Sequence, residues 1–272
     1  MSSVLSQIRR LNGLGAHAIA EPFAGGAGAA LTLLYQEETH EIYINDADPA
    51  IHDFWWAAVH RRHLLLKMLH DTPVTMPEWE RQRAIYYGNG THRTSRLRRG
   101  FAAFYLNRCN RSGIIMGGGA IGGIEQNGIW KLDARFNKTT LAERLEKIGE
   151  YGERIHVSGL DGLDFINNAD KGSTFFFVDP PYFAKGELLY LNGLDEQYHA
   201  ALADRLHGMS DGAWVLTYDD CPEIREMYEG WAAIRRFGLR YAAAERRSGR
   251  ELIITPRWMQ LPASQNSNAI TW

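Results

Sequence analysis

The feature that most limits the fold of this chain is an alternation of two kinds of segment. Short apolar runs typical of β-strands are separated by stretches in which apolar residues recur every three or four positions, as on one face of a helix. The predicted strands are residues 17–20, 41–45, 154–158, 174–178, 213–218 and 251–255. Helices are predicted over residues 29–35, behind Thr139 and Thr140, and after Asn192. This order predicts an α/β fold with a largely parallel sheet.

The alternation fails between residues 52 and 137, where the sequence becomes helical and basic and then rich in glycine. We therefore predict a core formed by residues 1–51 and 138–260, with an inserted domain over residues 52–137. Residues 261–272 are polar, and we expect them to form a flexible, frayed tail.

The glycine-rich part of the insertion contains a turn signal. Residues 121–132 are predicted to form a β-hairpin that turns at Gln126, Asn127 and Gly128, because Asn-Gly supplies the positive φ angles of a tight turn. The side chains of Gln126 and Asn127 can hydrogen-bond base edges in a major groove, so both are candidate nucleic-acid-binding residues.

Charge is distributed unevenly. The formal net charge is −2, yet residues 79–111 contain eight arginines and a single acid, Glu80. An arginine run alone is typical of a solvated helical face. Here aromatic residues interleave with the arginines, and planar guanidinium groups suit phosphate contacts, so the pattern favours nucleic acid. The candidate contacts are Arg93, Arg96, Arg98, Arg99, Arg108 and Arg111.

Arg108 occupies a special position among these arginines. Leu97, Phe101, Phe104 and Tyr105 mark one face of a predicted helix, and Arg108 falls near the middle of that face. An arginine there needs a partner. The sequence leaves two interpretations open, a buried structural contact or a direct contact with nucleic acid.

Composition excludes several classes of protein. Hydrophobic residues make up 45% and charged residues 23% of the 272 residues, unlike a disordered, collagen-like or coiled-coil chain. No apolar run reaches the length of a membrane span, and residues 1–10 lack a signal-peptide core, so we expect a cytoplasmic protein without membrane contact. Cys109 and Cys221 have no partners at metal-binding spacing, so neither a disulfide nor a metal site is predicted.

A glycine-rich loop follows the first predicted strand. It consists of Glu21, Pro22, Phe23, Ala24, Gly25, Gly26, Ala27 and Gly28, and an apolar helix-like segment comes next. Glycines at the start of a helix let the backbone approach a ligand closely. The loop lacks the third glycine of the dinucleotide fingerprint, so it is weak evidence by itself.

Asp46 follows the second predicted strand. An acid at this place can accept hydrogen bonds from the ribose hydroxyls of an adenosyl ligand. The alternative is a turn or helix cap formed together with Asp48 and Pro49. The sequence leaves both interpretations open.

The sequence Asp179-Pro180-Pro181-Tyr182 follows the fully apolar run 174–178, where parallel sheets bind ligands. The two prolines make the loop stiff, so that the Asp179 carboxylate and the Pro180 carbonyl can serve as two fixed acceptors. An exocyclic amino group offers two N–H donors to such a pair, and its lone pair can then attack a methyl group. Tyr182 offers a ring face on which a base can stack.

Five motifs follow one another in a set order. They are the loop 21–28, Asn45-Asp46, Leu106-Asn107-Arg108 with Ser112-Gly113, Arg135-Phe136-Asn137, and Asp179-Pro180-Pro181-Tyr182. In this order they resemble the Dam-like DNA adenine-N6 methyltransferases, over nearly the whole chain. The resemblance implies a Rossmann-like methyltransferase core with an inserted, mainly helical DNA-recognition domain. It also implies methyl transfer from S-adenosylmethionine to N6 of a flipped adenine in double-stranded DNA.

The resemblance assigns roles to individual positions. It implies that Glu21, Pro22, Phe23, Ala24, Gly25, Gly26 and Gly28 bind S-adenosylmethionine, that Asp46 binds its ribose and that Asp161 binds its adenine. It assigns the target adenine to Asp179, Pro180, Pro181 and Tyr182. Because the sulfonium is already an activated donor, we expect direct transfer without a metal or a covalent enzyme intermediate. We expect a monomer or a weak dimer.

The chain departs from the family pattern near its start. The family begins with a Lys-Trp-Ala-Gly-Gly-Lys segment, whereas no tryptophan or lysine precedes Glu21 here. This departure leaves open a DNA-binding homologue with impaired catalysis. A second alternative is an adenine methyltransferase that acts on RNA, because Asp179 to Tyr182 would serve both substrates.

Overall fold

The computed structural model describes residues 1–88, 94–169, 172–183, 194–239, 250–263 and 270–271. The chain divides into two compact units. The first unit consists of Met1–Asn45 and Leu160–Trp272, and the second consists of Asp46–Gly159. The fold is mixed α/β, as the sequence predicts.

The six predicted strands are confirmed to within one residue at either end. In chain order the strands of the described residues are β1 (Ala18–Glu21), β2 (Ile42–Asn45), β3 (Ile155–Ser158), β4 (Thr174–Val178), β5 (Ala213–Asp219), β6 (Ala232–Leu239), β7 (Arg250–Pro256) and β8 (Ile270–Thr271). The sequence pattern does not predict β6 or β8. Arg235 and Arg236 interrupt the apolar pattern of β6, and β8 is only two residues long.

Seven of these strands form the sheet of the first unit, in the order β2-β1-β4-β5-β7-β6-β8. Strands β2, β1, β4 and β5 are parallel, whereas β7, β6 and β8 add to them in antiparallel pairings. The apolar β4 is buried along its whole length between β1 and β5. Since parallel strands end at the same edge, the carboxyl ends of β1, β2, β4 and β5 lie along one edge of this sheet.

The predicted frayed tail is wrong at its far end. Ile270 and Thr271 pair with Leu239 and Gly238 of β6. An unpaired edge strand exposes backbone N–H and carbonyl groups, and β8 satisfies part of that edge. Residues 264–269 and 272 lie outside the described residues.

Helices complete both units. In chain order they are α1 (Ser2–Leu11), α2 (Gly28–Tyr35), α3 (Pro49–His60), α4 (Arg62–Asp71), α5 (Met76–Tyr86), α6 (Arg96–Cys109), α7 (Lys138–Glu150), α8 (Gly162–Asn168), α9 (Glu196–His207) and α10 (Pro222–Tyr228). The core of the first unit joins Phe176, Trp214 and Leu252 of the sheet to Leu202 of α9 and Ile224 of α10. These residues are fully buried, so hydrophobic burial fixes the helices on the sheet.

Two predicted helix starts are corrected by the structure. α7 is capped by Asn137, whose side-chain oxygen accepts a hydrogen bond from the backbone N–H of Thr140, and not by a threonine. α9 is capped by Asp195, which accepts from Tyr198 N at 2.8 Å. The predicted start at Asn192 lies outside the described residues. Asn and Asp both cap well because a short side-chain oxygen reaches the N–H groups of the first turn.

The second unit is built mainly from α3 to α7. Helices α3 and α6 pack so closely that a Cβ added to Gly100 would lie 2.5 Å from the backbone of Asp53 and Phe54. Phe54 and Phe104 stack with ring centroids 5.4 Å apart. The predicted helical character of residues 97–108 is confirmed by α6.

The predicted hairpin over residues 121–132 is wrong, because no strand forms there. The segment instead folds as turns around the side chain of Gln126. The amide nitrogen of Gln126 donates to the carbonyls of Ile121 (2.7 Å) and Gly123 (2.6 Å), and its amide oxygen accepts from Leu132 N (2.9 Å). These side-chain bonds take the place of the backbone ladder that a hairpin needs.

Candidate active site

Acidic and amide side chains line the carboxyl edge of the sheet in the first unit. Glu21 ends β1, Asn45 ends β2, Asp219 ends β5, and Asp179 directly follows β4. Val178 pairs with Leu216 in the β4–β5 ladder, so the residue after each, Asp179 and Thr217, also stand side by side. The sheet thus brings together polar residues that are up to about 200 positions apart in sequence.

Asp179 is held by its neighbour on β5. The hydroxyl of Thr217 donates to Oδ1 of Asp179 at 2.6 Å, and Thr217 is buried. Two residues further along β5, Oδ1 of Asp219 accepts a hydrogen bond from the backbone N–H of Phe183 at 3.2 Å. β5 therefore anchors both ends of the segment that contains the predicted catalytic residues.

The rest of that segment packs against the core. Pro180 is buried, and Tyr182 and Phe183 are half-buried against the apolar cluster of the first unit. The Phe183 ring lies 5.2 Å from the buried ring of His199, centroid to centroid. Nδ1 of His199 lies 2.5 Å from the hydroxyl of Tyr218. Stiff prolines and this aromatic support hold the segment in one conformation.

Two carboxyl groups at this edge have raised pKa values. Asp179 keeps contact with solvent, but the protein around its carboxyl group desolvates it and raises its pKa to about 6. Burial, and then the charge of Asp179, raises the pKa of Glu21 to about 8, while a hydrogen bond from Ala30 N opposes the shift. At pH 7 Asp179 is therefore mainly ionised and Glu21 mainly protonated. Neighbouring acids with separated pKa values are typical of catalytic sites.

The glycine-rich loop leaves space above its backbone. Gly25 has a φ of +48°, and a Cβ added at Gly25, Gly26 or Gly28 would meet no atom within 4 Å. Ala27 also adopts a left-handed conformation, with φ of +45°, at the point where α2 begins. Oε1 of Glu21 accepts from Ala30 N at 2.6 Å and so occupies a donor in the first turn of α2. The side chain of Glu21 therefore supports the loop from inside.

Asn45 belongs to one of the sequence motifs but has no predicted role, and the structure gives it a structural one. Its Nδ2 donates to the carbonyls of Pro22 and Leu160, each at 2.9 Å, and its Oδ1 accepts from Leu160 N at 2.9 Å. Its backbone carbonyl accepts from Ala24 N at 2.8 Å. Asn45 thus joins the glycine-rich loop to the segment that leads to Asp161. The signals for Asn45 in the sequence are its place at the end of a predicted strand and its occurrence in the Asn45-Asp46 motif.

Asp161 lies beside Phe23 in the first unit. Its Oδ1 caps α8 by accepting from Leu163 N at 2.9 Å, and its Oδ2 accepts from the Tyr198 hydroxyl at 3.0 Å. A Cβ on Gly162 would lie 2.5 Å from the Phe23 ring, and the rings of Phe23 and Tyr198 meet edge to face at 6.4 Å. Two residues that the resemblance assigns to the cofactor are therefore brought together by packing.

Asp46 belongs to the second unit and takes part in the turn that precedes α3. Its Oδ1 accepts from Asp48 N at 2.9 Å. Asp48 in turn caps α3, accepting from Ala50 N at 2.7 Å, and its other oxygen accepts from the Tyr86 hydroxyl at 2.8 Å. The structure therefore contains the turn and helix cap that the sequence offers as the alternative role of Asp46. The ribose contact stays a prediction.

Two of the candidate DNA-binding arginines have an internal partner. Arg96 and Arg99 both form ion pairs with the buried Asp53, at 2.8 and 2.6 Å. The Arg96 guanidinium also lies over the Trp56 ring, 4.2 Å from its centroid. Arg98 is exposed and has no ion pair within the described part of the chain. Arg93 lies outside the described residues.

Arg108 and Arg111 differ from those two. Arg108 is half-buried and donates to Oδ1 of Asn107, with Nε at 3.0 Å. Burial, together with the charges of Arg135 and Arg144, lowers the pKa of Arg108. Arg111 is exposed, and its Nε donates to the carbonyl of Ala120 at 3.3 Å. Asn127 is exposed as well, whereas the amide of Gln126 is fully engaged within its loop.

Among the described residues no group of three or more His, Cys, Asp or Glu side chains is arranged to hold a metal ion. No helix in the described part of the chain is long and apolar enough to span a membrane. Cys109 is buried, and burial raises the pKa of its thiol to about 12.

Comparison with known proteins identifies the family of the chain. The sequence model of the D12 class N6 adenine-specific DNA methyltransferases matches residues 2–242. The chain belongs to this family. An N6 adenine-specific DNA methyltransferase has DNA as its substrate and needs a methyl donor, so the predicted family and the predicted type of enzyme are confirmed.

Other comparisons add little to the family match. None of the curated proteins matches the chain. A solved structure described as a conserved hypothetical protein from Streptococcus pyogenes is similar over 94% of this chain and 96% of that chain, with 10% sequence identity and a TM-score of 0.36. This score is too low to support a structural argument.

Proposed function

We propose that this methyltransferase transfers the methyl group of S-adenosylmethionine to N6 of an adenine that is flipped out of double-stranded DNA. The observation that carries the proposal is the position of the Asp179 carboxylate. It follows the central strand β4, stands in a stiff Pro-Pro segment, and has one oxygen bound by Thr217. The other oxygen and the Pro180 carbonyl are suited to accept the two hydrogens of an amino group.

The protonation state of Asp179 suits this role. With a pKa of about 6, the carboxylate is ionised at neutral pH and accepts hydrogen bonds from N6. Such bonds direct the nitrogen lone pair towards the methyl group that is transferred. As the lone pair forms the new N–C bond, the bond from the methyl group to sulfur would break and the donor would leave as a neutral thioether; N6 then becomes acidic, and Asp179 is placed to accept the proton. Tyr182, half-buried beside Asp179, offers a surface for stacking the base.

The residues of the first unit fit S-adenosylmethionine. The open space over Gly25, Gly26 and Gly28 allows a ligand to approach the backbone at the start of α2. Phe23 offers an apolar ring, and Asp161 offers a carboxylate to an adenine amino group. When bound, S-adenosylmethionine supplies an electrophilic methyl group on a sulfonium. For Asp46 we keep the ribose assignment that the resemblance implies.

We assign DNA recognition to the second unit, which contains the predicted insertion 52–137. Its basic segment supports this assignment, with Arg98 and Arg111 exposed for phosphate contacts. Arg96 and Arg99 form ion pairs with the buried Asp53, so we rank them below Arg98 and Arg111 as phosphate contacts. Asn127, exposed on the turn-rich loop, is the better base-reading candidate of the predicted pair.

The proposal is tested by methyl transfer to defined substrates. Purified enzyme is incubated with S-adenosylmethionine and duplex DNA, single-stranded DNA or RNA of the same sequence, and digested nucleosides are identified by mass spectrometry. N6-methyladenine in duplex DNA, lost in Asp179→Ala at nearly unchanged cofactor affinity, is the expected result. Methylation of RNA alone would support the RNA alternative. Absence of S-adenosylmethionine binding in calorimetry would support an impaired homologue.

A further inference from the structure

Thr217 is a buried residue of β5 that neither the motifs nor the family match assigns. Its hydroxyl donates to Oδ1 of Asp179 at 2.6 Å. The β4–β5 register places the two residues side by side, so this contact follows from the backbone arrangement. The two oxygens of a free carboxylate are equivalent, and the terminal torsion of aspartate is broad and twofold. A hydrogen bond to one oxygen makes them distinct.

The same strand fixes the other end of the segment. Asp219 stands two residues after Thr217, on the same face of β5, and its Oδ1 accepts from Phe183 N. Between them, Tyr218 points to the opposite face, where its hydroxyl meets His199. With both ends of the Asp179–Phe183 segment tied to one strand, the Asp179 carboxylate has little freedom to turn or shift.

We propose that Thr217 is a positioning residue for methyl transfer, which holds Oδ1 of Asp179 so that Oδ2 faces the amino group of the target adenine. This inference rests on the proposed function, because it assigns a partner to the proposed acceptor. Thr217 does not touch the substrate itself. Only its hydroxyl is needed for this role, so serine can replace it and valine cannot.

The surroundings of Asp179 make the hydroxyl matter most near neutral pH. Within the described ranges, the charged or titratable groups that act on Asp179 are Glu21 at the end of β1, Glu251 on β7 and the α-amino group of Met1. Desolvation of the carboxyl group by the surrounding protein, and then the charge of Glu251, raise the pKa of Asp179, whereas the Thr217 hydrogen bond and the α-amino group lower it. Removing the Thr217 hydroxyl therefore raises this pKa further, by about one unit for a bond to a charged group.

The test compares Thr217→Val, Thr217→Ser and Thr255→Val with wild-type enzyme. Thr255 is an apt control because it is also a fully buried β-strand threonine, and its hydroxyl has no hydrogen-bond partner within the described residues. The measurements are kcat against pH, KM for duplex DNA and calorimetric affinity for S-adenosylmethionine. Independently of activity, the Asp179 carboxyl group is titrated by NMR in ¹³C-aspartate-labelled protein, with Asp179→Asn identifying its signal.

We expect Thr217→Val to lower kcat at pH 7 about tenfold or more, and to move the acid limb of the kcat profile and the NMR titration upward by about one pH unit. KM and cofactor affinity should stay within about threefold. Thr217→Ser should restore kcat to within about threefold, and Thr255→Val should match wild type. A stably folded Thr217→Val with normal kcat overturns the inference, as does a serine variant as impaired as the valine variant.

Different results would exclude the role of Thr217 and the proposed function. If wild-type enzyme methylates adenine and Thr217→Val does so equally well, the role of Thr217 is wrong and the proposed function stands. If wild-type enzyme methylates no adenine, the proposed function is wrong. An Asp179 titration that Thr217→Val leaves in place would overturn the role of Thr217 by itself.

Discussion

Asn45 allows a sharp test of how the glycine-rich loop is held. Its side chain makes three hydrogen bonds, one to the carbonyl of Pro22 and two with the backbone of Leu160. Asn45→Ala removes all three. A typical hydrogen bond contributes about 1 kcal/mol to stability, and a buried group left without a partner costs more.

The expected loss follows from where the partners lie. Pro22 is buried, so its carbonyl loses its partner without gaining water, whereas Leu160 is 41% exposed and water can replace part of its two bonds. We therefore expect the free energy of unfolding to fall by about 2–3 kcal/mol. A loosened glycine-rich loop should also weaken S-adenosylmethionine binding by about tenfold, because binding must then supply the free energy that orders the loop.

The chain offers a matched control. Asn12 also makes three side-chain hydrogen bonds to backbone groups, with Ile8 and with Gln260, but two of these lie at the exposed surface. Asn12→Ala should cost less than about 1 kcal/mol and leave cofactor affinity unchanged. Urea unfolding followed by tryptophan fluorescence gives the stabilities, and calorimetry gives the affinities. Equal effects of the two variants, or normal cofactor affinity in Asn45→Ala, would show that Asn45 does not hold the loop in its binding conformation.

Three further predictions concern other parts of the chain. Asp46→Ala should weaken S-adenosylmethionine binding about tenfold or more in calorimetry, since charge-assisted hydrogen bonds contribute about 1.5–3 kcal/mol; an unchanged affinity with an intact circular dichroism spectrum leaves Asp46 as a turn residue. Arg98→Ala should flatten the plot of log affinity for duplex DNA against log salt by about 0.9, and an unchanged slope removes Arg98 from the interface. In urea unfolding, Gly100→Ala should destabilise the protein by about 1–2 kcal/mol despite the better helix propensity of alanine, because the new Cβ would lie 2.5 Å from the backbone of α3. Gly149→Ala is the control and should be near neutral, because the nearest atoms to its Cβ belong to the Arg62 side chain.

The parts of the fold that the sequence predicts are those with a local signal. Short apolar runs mark the strands that later form the centre of the sheet, and the apolar run 174–178 places Asp179 at its carboxyl edge. β6 is not predicted because its arginine-containing sequence lacks a strand pattern, and its extended conformation is stabilised by pairing with β7. Pairing with a neighbouring strand is a tertiary effect that periodicity does not record.

Side-chain bonds to distant backbone explain most of the remaining differences. The Asn-Gly pair favours a hairpin, but the neighbouring Gln126 binds three backbone groups of its own loop and favours a set of turns. Asn45 forms a hydrogen bond with Leu160, 115 positions away, and no local sequence pattern predicts this contact. The arginine run likewise gives no sign that Arg96 and Arg99 both form ion pairs with the buried Asp53. Such contacts depend on the folded arrangement, so only the structure reveals them.

In the proposed function Asp179 directs methyl transfer to N6 of adenine. This role is tested by measuring the rate of N6-methyladenine formation in duplex DNA with S-adenosylmethionine, for wild type and Asp179→Ala, from pH 5 to 9. We predict wild-type activity that falls as pH drops through about 6, where the carboxylate becomes protonated, and a nearly complete loss of activity in Asp179→Ala while S-adenosylmethionine binds within a few-fold of normal. Turnover by Asp179→Ala at the wild-type rate would contradict the account.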